Sequence, residues 1–299
     1  MQASTAPAAT PQITSFAPSQ TGRLHLGHAY AALFAERQAR ATGGRFLLRI
    51  EDIDRSRCRH EFEAAIFADL AWLGLSWEAP VRRQSDHIGD YRAALDALAA
   101  SGLLYPCFCS RKEIQAEIAA AAGAPQGPEG PLYPGLCRAL SEPARARRMA
   151  AGEPYALRLD SAKAGGAVGR ITWEDEARGV FAVEPGLLGD VVLGRRDAPA
   201  SYHLAVTLDD HRQGITLVTR GEDLLPATHI HRLLQALLGL SVPRWRHHGL
   251  LVNEKGERLA KRDGAMTLAA LRAAGCSAED LRAMAGFPDS PAAPGSRDG

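Results

Sequence analysis

The sequence predicts an α/β protein whose core is a doubly wound parallel sheet. Short apolar runs at 12–17 and 46–50 suit buried strands, and each precedes a segment with apolar residues at helical spacing, such as Ile66 and Leu70. Strands that alternate with helices form parallel βαβ units. The 46% of hydrophobic and 23% of charged residues are typical of a globular chain and exclude wholesale disorder.

Charge and cysteine content limit the possible functions. The formal net charge of the 299 residues is +1, so a nucleic-acid surface has to be a local patch. No apolar run reaches the ~18–20 residues of a membrane span, and the first residues lack the pattern of a secretory signal. Five cysteines, an odd number, favour metal ligands over disulfides. We therefore expect a cytoplasmic protein without a membrane segment.

The middle of the chain differs from the parallel pattern on either side. Helical spacing predicts helices at 91–103 and about 112–122, and the α/β pattern resumes with 202–208 and 215–219. Between them, β-like runs predict a partly antiparallel insertion; the runs lie at 155–159, 170–173, 180–183 and 191–193. The predicted parts are a disordered tail (1–11), the first half of the Rossmann-type domain (12–106), the insertion (107–195), the second half (196–262), and a short helical end with a disordered tail (263–299).

A turn between a predicted strand and a predicted helix carries two histidines. In PSQTGRLHLGH (18–28), His25 and His28 lie on one side of the first helical turn. The N–H groups and the dipole at a helix N-terminus attract phosphate, and Gly27 has no Cβ to obstruct a nucleotide. The alternative is a pair of surface histidines beside a turn.

Two further charged segments are candidates for binding. Lys261, in RLAKR (258–262), is a flexible point charge that can follow negative charge on a reacting phosphate, although a solvated basic turn is the alternative. Arg49 and Glu51 share one face at the carboxyl end of a strand, where α/β proteins bind ligands. The Glu51 carboxylate can bind a substrate ammonium group or a magnesium-bound phosphate, whereas Asp54 can simply cap the next helix.

Three cysteines form a candidate metal site. Cys107 and Cys109 bracket one residue, and Cys137 follows in the predicted insertion. This spacing suits a Zn²⁺ knuckle, and buried structural thiols are the alternative.

Together these motifs resemble the class I glutamyl-tRNA synthetases. PSQTGRLHLGH, FLLRIEDID (46–54), RGED (220–223) and RLAKR follow one another in the order and spacing of that family, over about 13–287. The resemblance implies the class I synthetase catalytic domain, with the insertion as an acceptor-binding-like subdomain that contains the zinc site.

The resemblance implies a site that binds ATP together with Mg²⁺. The implied catalytic residues are His25, His28 and Lys261. The implied ATP-binding residues are Pro18, Gly22, His25, Gly27, His28, Leu259 and Lys261. In the family's K-[LM]-S-K-[RS] loop, Arg258 and Ala260 replace the usual lysine and serine, and Lys261 is kept.

The resemblance also implies a pocket for L-glutamate. Its residues are Ser15, Phe16, Ala17, Pro18, Ser19, Glu51, Tyr202 and Arg220. Ala17, Ser19 and Glu51 match positions that hold the ammonium group, and Tyr202 and Arg220 complete the pocket. Ser15 stands where the family has an arginine for the side-chain carboxylate, so Arg23 or another nearby arginine is a candidate replacement. Gln20 stands where the family has proline, and we expect a smaller effect there.

For the cysteines, the resemblance implies one structural Zn²⁺ held by Cys107, Cys109, Tyr133 and Cys137. The chain ends soon after RLAKR, where full glutamyl-tRNA synthetases continue into an anticodon-binding domain. This short form with this zinc pattern resembles the stand-alone glutamyl-queuosine tRNA(Asp) synthetase family. That implies activation of glutamate without tRNA and its transfer to queuosine in the anticodon loop of tRNA(Asp), by a monomer.

Three other hypotheses stay open from the sequence. They are a truncated conventional glutamyl-tRNA synthetase that charges a tRNA 3′ end, a related nucleotidyl-transferring ligase such as a pantothenate-synthetase-like enzyme, and a non-catalytic synthetase-like RNA-binding protein. No residue of the sequence is assigned as a general base.

Overall fold

The structure, a computed structural model, describes residues 10–54, 58–120, 126–128, 130–251 and 266–288. The strands are β1 (Ile13–Phe16), β2 (Arg45–Ile50), β3 (Arg82–Arg83), β4 (Leu104–Cys107), β5 (Gln126–Gly127), β6 (Gly130–Pro131), β7 (Ala156–Leu159), β8 (Thr172–Asp175), β9 (Gly179–Ala182), β10 (Val192–Gly194), β11 (Leu217–Gly221) and β12 (Arg244–His248). The α-helices are α1 (Leu26–Ala41), α2 (His60–Trp72), α3 (Ile88–Ala100), α4 (Arg111–Ala120), α5 (Glu142–Ala150), α6 (Ser161–Val168), α7 (Tyr202–Arg212), α8 (Leu225–Leu238), α9 (Leu268–Ala273) and α10 (Ala278–Met284). Among these helices, none is both long and apolar enough to cross a membrane.

The chain forms two compact units. The first contains the described residues of Met1–Ser85, Gly214–Asp223 and Pro243–Gly299, and the second contains those of Asp86–Gln213 and Leu224–Val242. The bounds of the five parts given above stay a prediction.

Parallel strands form the framework of the first unit. β1 pairs with β2, β2 pairs with β3, and β11 pairs with β12, all in parallel. The N–H of Thr216 donates to the carbonyl of Ile13 (3.0 Å), which ties the entry to β11 to the start of β1. The predicted α/β fold with a parallel sheet is therefore confirmed.

Helix α1 connects β1 to β2 and packs against them through small residues. Ala29, Ala32 and Leu33 are fully buried on one face of this helix, and short alanine side chains let a helix approach a sheet closely. The chain returns to the sheet at Gly44, where any Cβ would overlap the carbonyl oxygen of Gln12. Only glycine allows this approach.

The second unit contains antiparallel strands and a helical layer. β7 pairs with β4 on one side and with β10 on the other, and β8 and β9 form a hairpin. The buried carboxylate of Asp190 joins β4, the start of α6 and the turn at Arg138, because it accepts hydrogen bonds from Tyr105 Oη (2.6 Å), Arg138 Nη1 (2.9 Å) and the N and Oγ of Ser161 (3.0 and 2.9 Å). In the helical layer, Tyr91 of α3 donates to the buried Asp209 of α7.

Some local predictions were wrong. The helix predicted at 91–103 ends at Ala100, because a turn at Gly102 (φ +67°) directs Leu103 into β4. The predicted insertion contains the helices α5 and α6, which were not predicted. Helix α5 is short and polar and buries no residue, so few apolar residues mark it in the sequence.

The other predicted segments agree with the structure within a few residues or lie partly outside it. The segment 202–208, for which no element type was predicted, belongs to helix α7. The described residues exclude 1–9 and 289–299 of the predicted tails, 121–122 of the helix predicted at about 112–122, and RLAKR.

Candidate functional site

The residues 15–19, at the end of β1 and directly after it, alternate between two faces. Phe16 and Pro18 are buried, and Phe16 packs in the core of the first unit, whereas Ser15 and Ala17 are half-buried and Ser19 is exposed. Successive side chains of a strand point to opposite faces. Ser15, Ala17 and Ser19 therefore share the face that is accessible to a ligand. On that face, Phe16 and Pro18 can contribute only their backbone groups.

Glu51 joins this face at the end of β2. The chain pairs Ser19 with Glu51 in a parallel bridge, and the N–H of Glu51 donates to the carbonyl of Pro18 (3.1 Å). Nη2 of the buried Arg49 lies 3.7 Å from Oε1 of Glu51. The structure thus brings Ser19 and Glu51 together, and the role at an ammonium group that the resemblance implies for them stays a prediction.

Arg220 is held by a histidine that the sequence analysis missed. Arg220 on β11 lies opposite His247 on β12, and Nε of Arg220 donates to Nε2 of His247 (3.2 Å). Both side chains are buried, with 8% and 4% of their surface exposed. A guanidinium has only donors, so His247 accepts at Nε2 and orients the group. No motif in the sequence marks His247.

His25 and His28 cap helix α1 with their own rings. Nδ1 of His25 accepts a hydrogen bond from the N–H of Gly27 (3.2 Å), and Nδ1 of His28 accepts one from the N–H of His25 (3.2 Å). The two ring centroids are 3.8 Å apart. A neutral imidazole that accepts at Nδ1 carries its proton at Nε2, so each ring becomes an Nε2–H donor. The cap therefore sets the tautomer that suits a phosphate oxygen.

The structure gives a second explanation for glycine at position 27, in addition to the nucleotide access expected above. A Cβ at this position would lie 3.2 Å from Cε1 and 3.3 Å from Nδ1 of His25. Glycine makes room for the capping ring. Gly22 lies in the bend that precedes this turn.

The chain returns to His25 after the basic loop. Thr267 pairs with His25 in an antiparallel bridge, and the N–H of Leu268 donates to the carbonyl of Leu24 (2.9 Å). Leu259 and Lys261 precede Thr267 in the sequence and lie outside the described residues.

The side chain of Gln20 contributes more to the structure than we expected for a position where the family has proline. Its Nε2 donates to Oε2 of Glu63 on α2 (2.6 Å), and the other oxygen of Glu63 accepts from Nε of Arg83 on β3 (2.7 Å). Gln20 and Glu63 are 4% and 9% exposed. The side chain of Gln20 thus ties the loop after β1 to α2, next to Ser19.

Arg23, the candidate replacement for the arginine that the family has at the position of Ser15, interacts with another group. Arg23 is exposed, and its charge acts on the buried carboxyl of Asp69 on α2. Burial raises the pKa of Asp69, and Arg272 and Arg23 oppose that shift.

Tyr202 belongs to the second unit, where it begins helix α7. Its side chain is partly exposed, and its ring meets the rings of His203 (5.6 Å) and His231 (5.7 Å). Nδ1 of His203 and Nε2 of His231 are 3.2 Å apart. The assignment of Tyr202 to the amino-acid pocket stays a prediction.

The three cysteines and Tyr133 converge in the second unit. The sulfurs of Cys107, Cys109 and Cys137 lie within 4.8 Å of one another, and Cys109 Sγ and Cys137 Sγ are 3.3 Å apart. Tyr133 Oη lies 3.5 Å from Cys107 Sγ and 3.6 Å from Cys109 Sγ. Ligands ~2.3 Å from a tetrahedral metal are ~3.8 Å from each other. The four atoms therefore fit a tetrahedral metal site.

The acid–base properties of this cluster also suit a cation. Burial, with the neighbouring thiols, raises the pKa of Cys109 to about 12, and burial raises the pKa of Tyr133. At Cys107 burial acts in the same direction, but hydrogen bonds from Tyr133 and Arg158 outweigh it and lower the pKa. A bound dication stabilises thiolate and phenolate and so reverses the effect of burial.

The chain belongs to the family described as tRNA synthetases class I (E and Q), catalytic domain, which residues 13–284 match. This confirms the resemblance drawn from the motifs. Relatives with a solved structure include the glutamate-tRNA synthetase of Elizabethkingia anophelis, with a TM-score of 0.71 and 30% identity over 85% of this chain and 53% of that one.

Two groups of curated relatives are similar to the chain. The Glutamyl-Q tRNA(Asp) synthetase of Rhodobacter capsulatus is 52% identical over 280 residues, which are 92% of this chain and 100% of the relative. The protein of that name from Nocardia farcinica is 46% identical, over 90% of this chain and 82% of its own length. The glutamate–tRNA ligase of Aquifex aeolicus is 37% identical, over 90% of this chain and 55% of its own length.

We expect the substitution Gln20→Leu to lower the free energy of unfolding by about 2 kcal/mol, because the buried Glu63 carboxylate loses one of its hydrogen-bond donors. Chemical denaturation measures the change. Gln115→Leu, at an exposed glutamine on α4, is the matched control and should change stability by less than about 0.5 kcal/mol. Equal changes in the two variants would contradict the role assigned to Gln20.

Proposed function

We propose that the protein activates L-glutamate with ATP and Mg²⁺ and transfers the glutamyl group to queuosine in the anticodon loop of tRNA(Asp). The observation that carries this proposal is the 52% identity over the whole length of a Glutamyl-Q tRNA(Asp) synthetase. The identity to the glutamate–tRNA ligase of Aquifex aeolicus is 37%. The similarity therefore favours the queuosine-directed reaction. We further propose that the protein works as a monomer in the cytoplasm.

The first step of the proposal is the binding of glutamate. The Glu51 carboxylate and the oxygens of the segment from Ala17 to Ser19 suit its ammonium group, since these groups accept hydrogen bonds. Arg220, oriented by His247, presents its fork to a carboxylate. Tyr202 is a further proposed contact of the amino acid.

Activation follows as a displacement at phosphorus. A carboxylate oxygen of glutamate attacks the α-phosphorus of ATP, the bond to the bridging oxygen breaks, and pyrophosphate leaves with that electron pair. Such a step requires positioning and charge stabilisation rather than covalent catalysis. His25 and His28 supply Nε2–H donors, Lys261 supplies a positive charge, and Gly27 keeps the His25 ring in place.

Transfer then releases AMP. A queuosine hydroxyl attacks the carbonyl carbon of the glutamyl-adenylate, the carbon–oxygen bond to the phosphate breaks, and the hydroxyl proton is lost. The described residues give no reason to assign that proton to one side chain.

We propose that the cluster of Cys107, Cys109, Tyr133 and Cys137 holds one Zn²⁺. Thiolates and a phenolate suit this borderline-soft cation. The protein supplies all four ligands, so the metal holds two loops together and has no open position for chemistry.

The decisive experiment identifies the acceptor. With radiolabelled glutamate and ATP, we expect label on tRNA(Asp) that contains queuosine, and none on tRNA(Asp) without queuosine or on tRNA(Glu). Nuclease mapping should place the label in the anticodon loop, and glutamate-dependent ATP–pyrophosphate exchange should proceed without any tRNA. Label on the 3′-terminal adenosine of tRNA(Glu) would instead identify a conventional synthetase.

Elemental analysis tests the metal. The wild-type protein should contain one zinc per chain, and the double variant Cys107→Ala/Cys137→Ala should contain none. Cys276→Ala, at a cysteine outside the cluster, is the control and should keep the metal. Zinc retained in full by the double variant would refute the assignment.

The basic loop is tested by Lys261→Ala. We expect the rate of adenylate formation to fall by roughly 10²-fold or more, because one charge aimed at the reacting phosphate is lost, while the KM for glutamate changes little. Lys163→Ala, at an exposed lysine of α6, is the control. An unchanged rate of pyrophosphate exchange in Lys261→Ala would remove the loop from the mechanism.

A further inference from the structure

A buried carboxylate on α2 has no part in the reaction steps proposed above. The side chain of Asp69 is 1% exposed, and among the described residues its Oδ2 has no hydrogen-bond partner. Nη2 of Arg272 on α9 lies 3.6 Å from Oδ1 of Asp69. Both residues belong to the first unit. The ion pair thus joins α2 to a helix near the other end of the chain.

The burial of Asp69 is unfavourable for the stability of the fold. A buried charge loses its hydration, and one ion pair without further hydrogen bonds does not fully compensate that loss. Burial raises the pKa of Asp69 against the opposing charges of Arg272 and Arg23, which agrees with an incompletely compensated charge. A neutral side chain of similar volume would cost the fold less. The carboxylate therefore needs an explanation other than stability.

Asp69 lies between the two segments of the chain that meet at His25. Arg23 comes shortly before His25 in the sequence. Arg272 lies on α9, the helix that begins directly after Thr267. The positive charges of both arginines act on the Asp69 carboxyl. Since Thr267 pairs with His25 in an antiparallel bridge, one carboxylate attracts both of the segments that this bridge joins.

Helix α9 depends on such contacts because it is short. Its six residues, Leu268–Ala273, are too few for a helix that is stable without tertiary contacts. Leu268 is fully buried in the core of the first unit, and Arg272 follows it one turn later on the same side of the helix. The guanidinium of Arg272 also lies 5.4 Å from the centre of the Trp72 ring on α2. Leu268 therefore fixes the start of α9, and Arg272 fixes its direction.

The start of α9 is bonded to the histidine turn. The N–H of Leu268 donates to the carbonyl of Leu24 (2.9 Å). Oγ1 of Thr267 caps the helix, because it accepts a hydrogen bond from the N–H of Ala270 (3.2 Å). The residue that pairs with His25 is thus also the first residue held by α9. A change in the direction of α9 therefore displaces the backbone partner of His25.

We propose that Asp69 is a positioning residue for His25. Its carboxylate holds Arg272, and α9 in turn keeps Thr267 against the backbone of His25. The ring of His25 thereby keeps the direction in which its Nε2–H meets a phosphate oxygen. This inference rests on the proposed function, in which His25 contacts ATP. Asp69 acts through α9 and has no assigned contact with a substrate.

The kinetic test is glutamate-dependent ATP–pyrophosphate exchange in Asp69→Asn. Asparagine keeps the size of the side chain and removes its charge. We expect kcat to fall by roughly 10-fold and the KM for ATP to rise by about 5-fold, because a small displacement of a positioned group costs both rate and affinity. The KM for glutamate should stay at the wild-type value, since the proposed ammonium contacts at the ends of β1 and β2 do not depend on α9.

Hydrogen exchange tests the geometry without any reaction. In Asp69→Asn, the amide of Leu268 should exchange faster than in the wild type, because α9 no longer holds it against the carbonyl of Leu24. The amides of β11 and β12 should keep their protection. The melting temperature should not fall, because the Arg272 side chain is 41% exposed and water can hydrate its charge once its partner is neutral.

Further variants separate the ion pair from other effects. Arg272→Gln should reproduce both changes, whereas Arg272→Lys keeps the charge and should keep most of the wild-type rate. The double variant Asp69→Asn/Arg272→Gln should be no slower than the slower single variant, since the effects of two residues in one ion pair do not add. Asp96→Asn, at an exposed aspartate of α3, is the matched control and should equal the wild type in every measurement.

Two results would overturn the proposal. One is a wild-type kcat and KM for ATP in both Asp69→Asn and Arg272→Gln, with or without a change in hydrogen exchange. The other is a general loss in both variants, with a lower melting temperature, faster hydrogen exchange in β11 and β12 and a raised KM for glutamate. That second pattern describes a contact that serves only the fold.

Failure of the proposed function gives a different result. If the wild-type protein shows no pyrophosphate exchange with glutamate, the activation step fails. The affinity for ATP with Mg²⁺, titrated by calorimetry, and the hydrogen exchange of Leu268 then still decide whether Asp69 positions the histidine turn. Equal ATP affinity in the wild type and in both variants would overturn the positioning role in that case.

Discussion

The parallel register of β1 and β2 is the constraint on which the first unit depends. Ser15 lies opposite Leu47 and Phe16 lies opposite Leu48. A slip of one residue would move Phe16 out of the core and place every side chain of β1 on the other face. The burial of Phe16 therefore determines that Ala17 and Ser19 lie on the opposite face, which is the face of the proposed glutamate pocket. An apolar side chain that does not line this proposed pocket thus sets the position of the residues that do.

The histidine motif shows how one ring can serve the fold and the site together. An N-cap needs an acceptor, which each ring supplies at Nδ1. A phosphate needs a hydrogen-bond donor. The same ring supplies that donor at Nε2, because its Nδ1 acts as an acceptor. Asparagine at position 25 could cap the helix, but its side chain is too short to place a donor at the position that Nε2 of histidine occupies. Histidine therefore combines both requirements at a helix N-terminus, where the dipole adds to the attraction.

The sequence predicted the parts of the site whose signal is local. The segment that ends at Glu51 and the histidine turn each form a short motif, and the three cysteines are marked by their residue type although Cys137 is distant in the sequence. Gln20 and His247 could not be found in this way, because neither belongs to a motif and their partners lie 43 and 27 residues away in the sequence. Nothing near Gln20 indicates that Glu63 will meet it. Helix α5 was missed because it is short and polar and buries no residue in the core.

The use of a tyrosine in the cysteine cluster has a physical reason in its surroundings. A buried phenol resists ionisation, so a tyrosine ligand needs groups that favour its anion. The N–H of Cys137 donates to Tyr133 Oη (2.9 Å), and the Arg158 guanidinium lies 3.8 Å from the ring centre. Both the hydrogen bond and the nearby guanidinium favour the phenolate anion, which is the form of tyrosine that coordinates a metal. The N–H of Phe108 does the same for the sulfur of Cys137 (3.3 Å). The backbone and Arg158 thus compensate part of the cost of burying these anions, and the proposed cation supplies the remaining compensation.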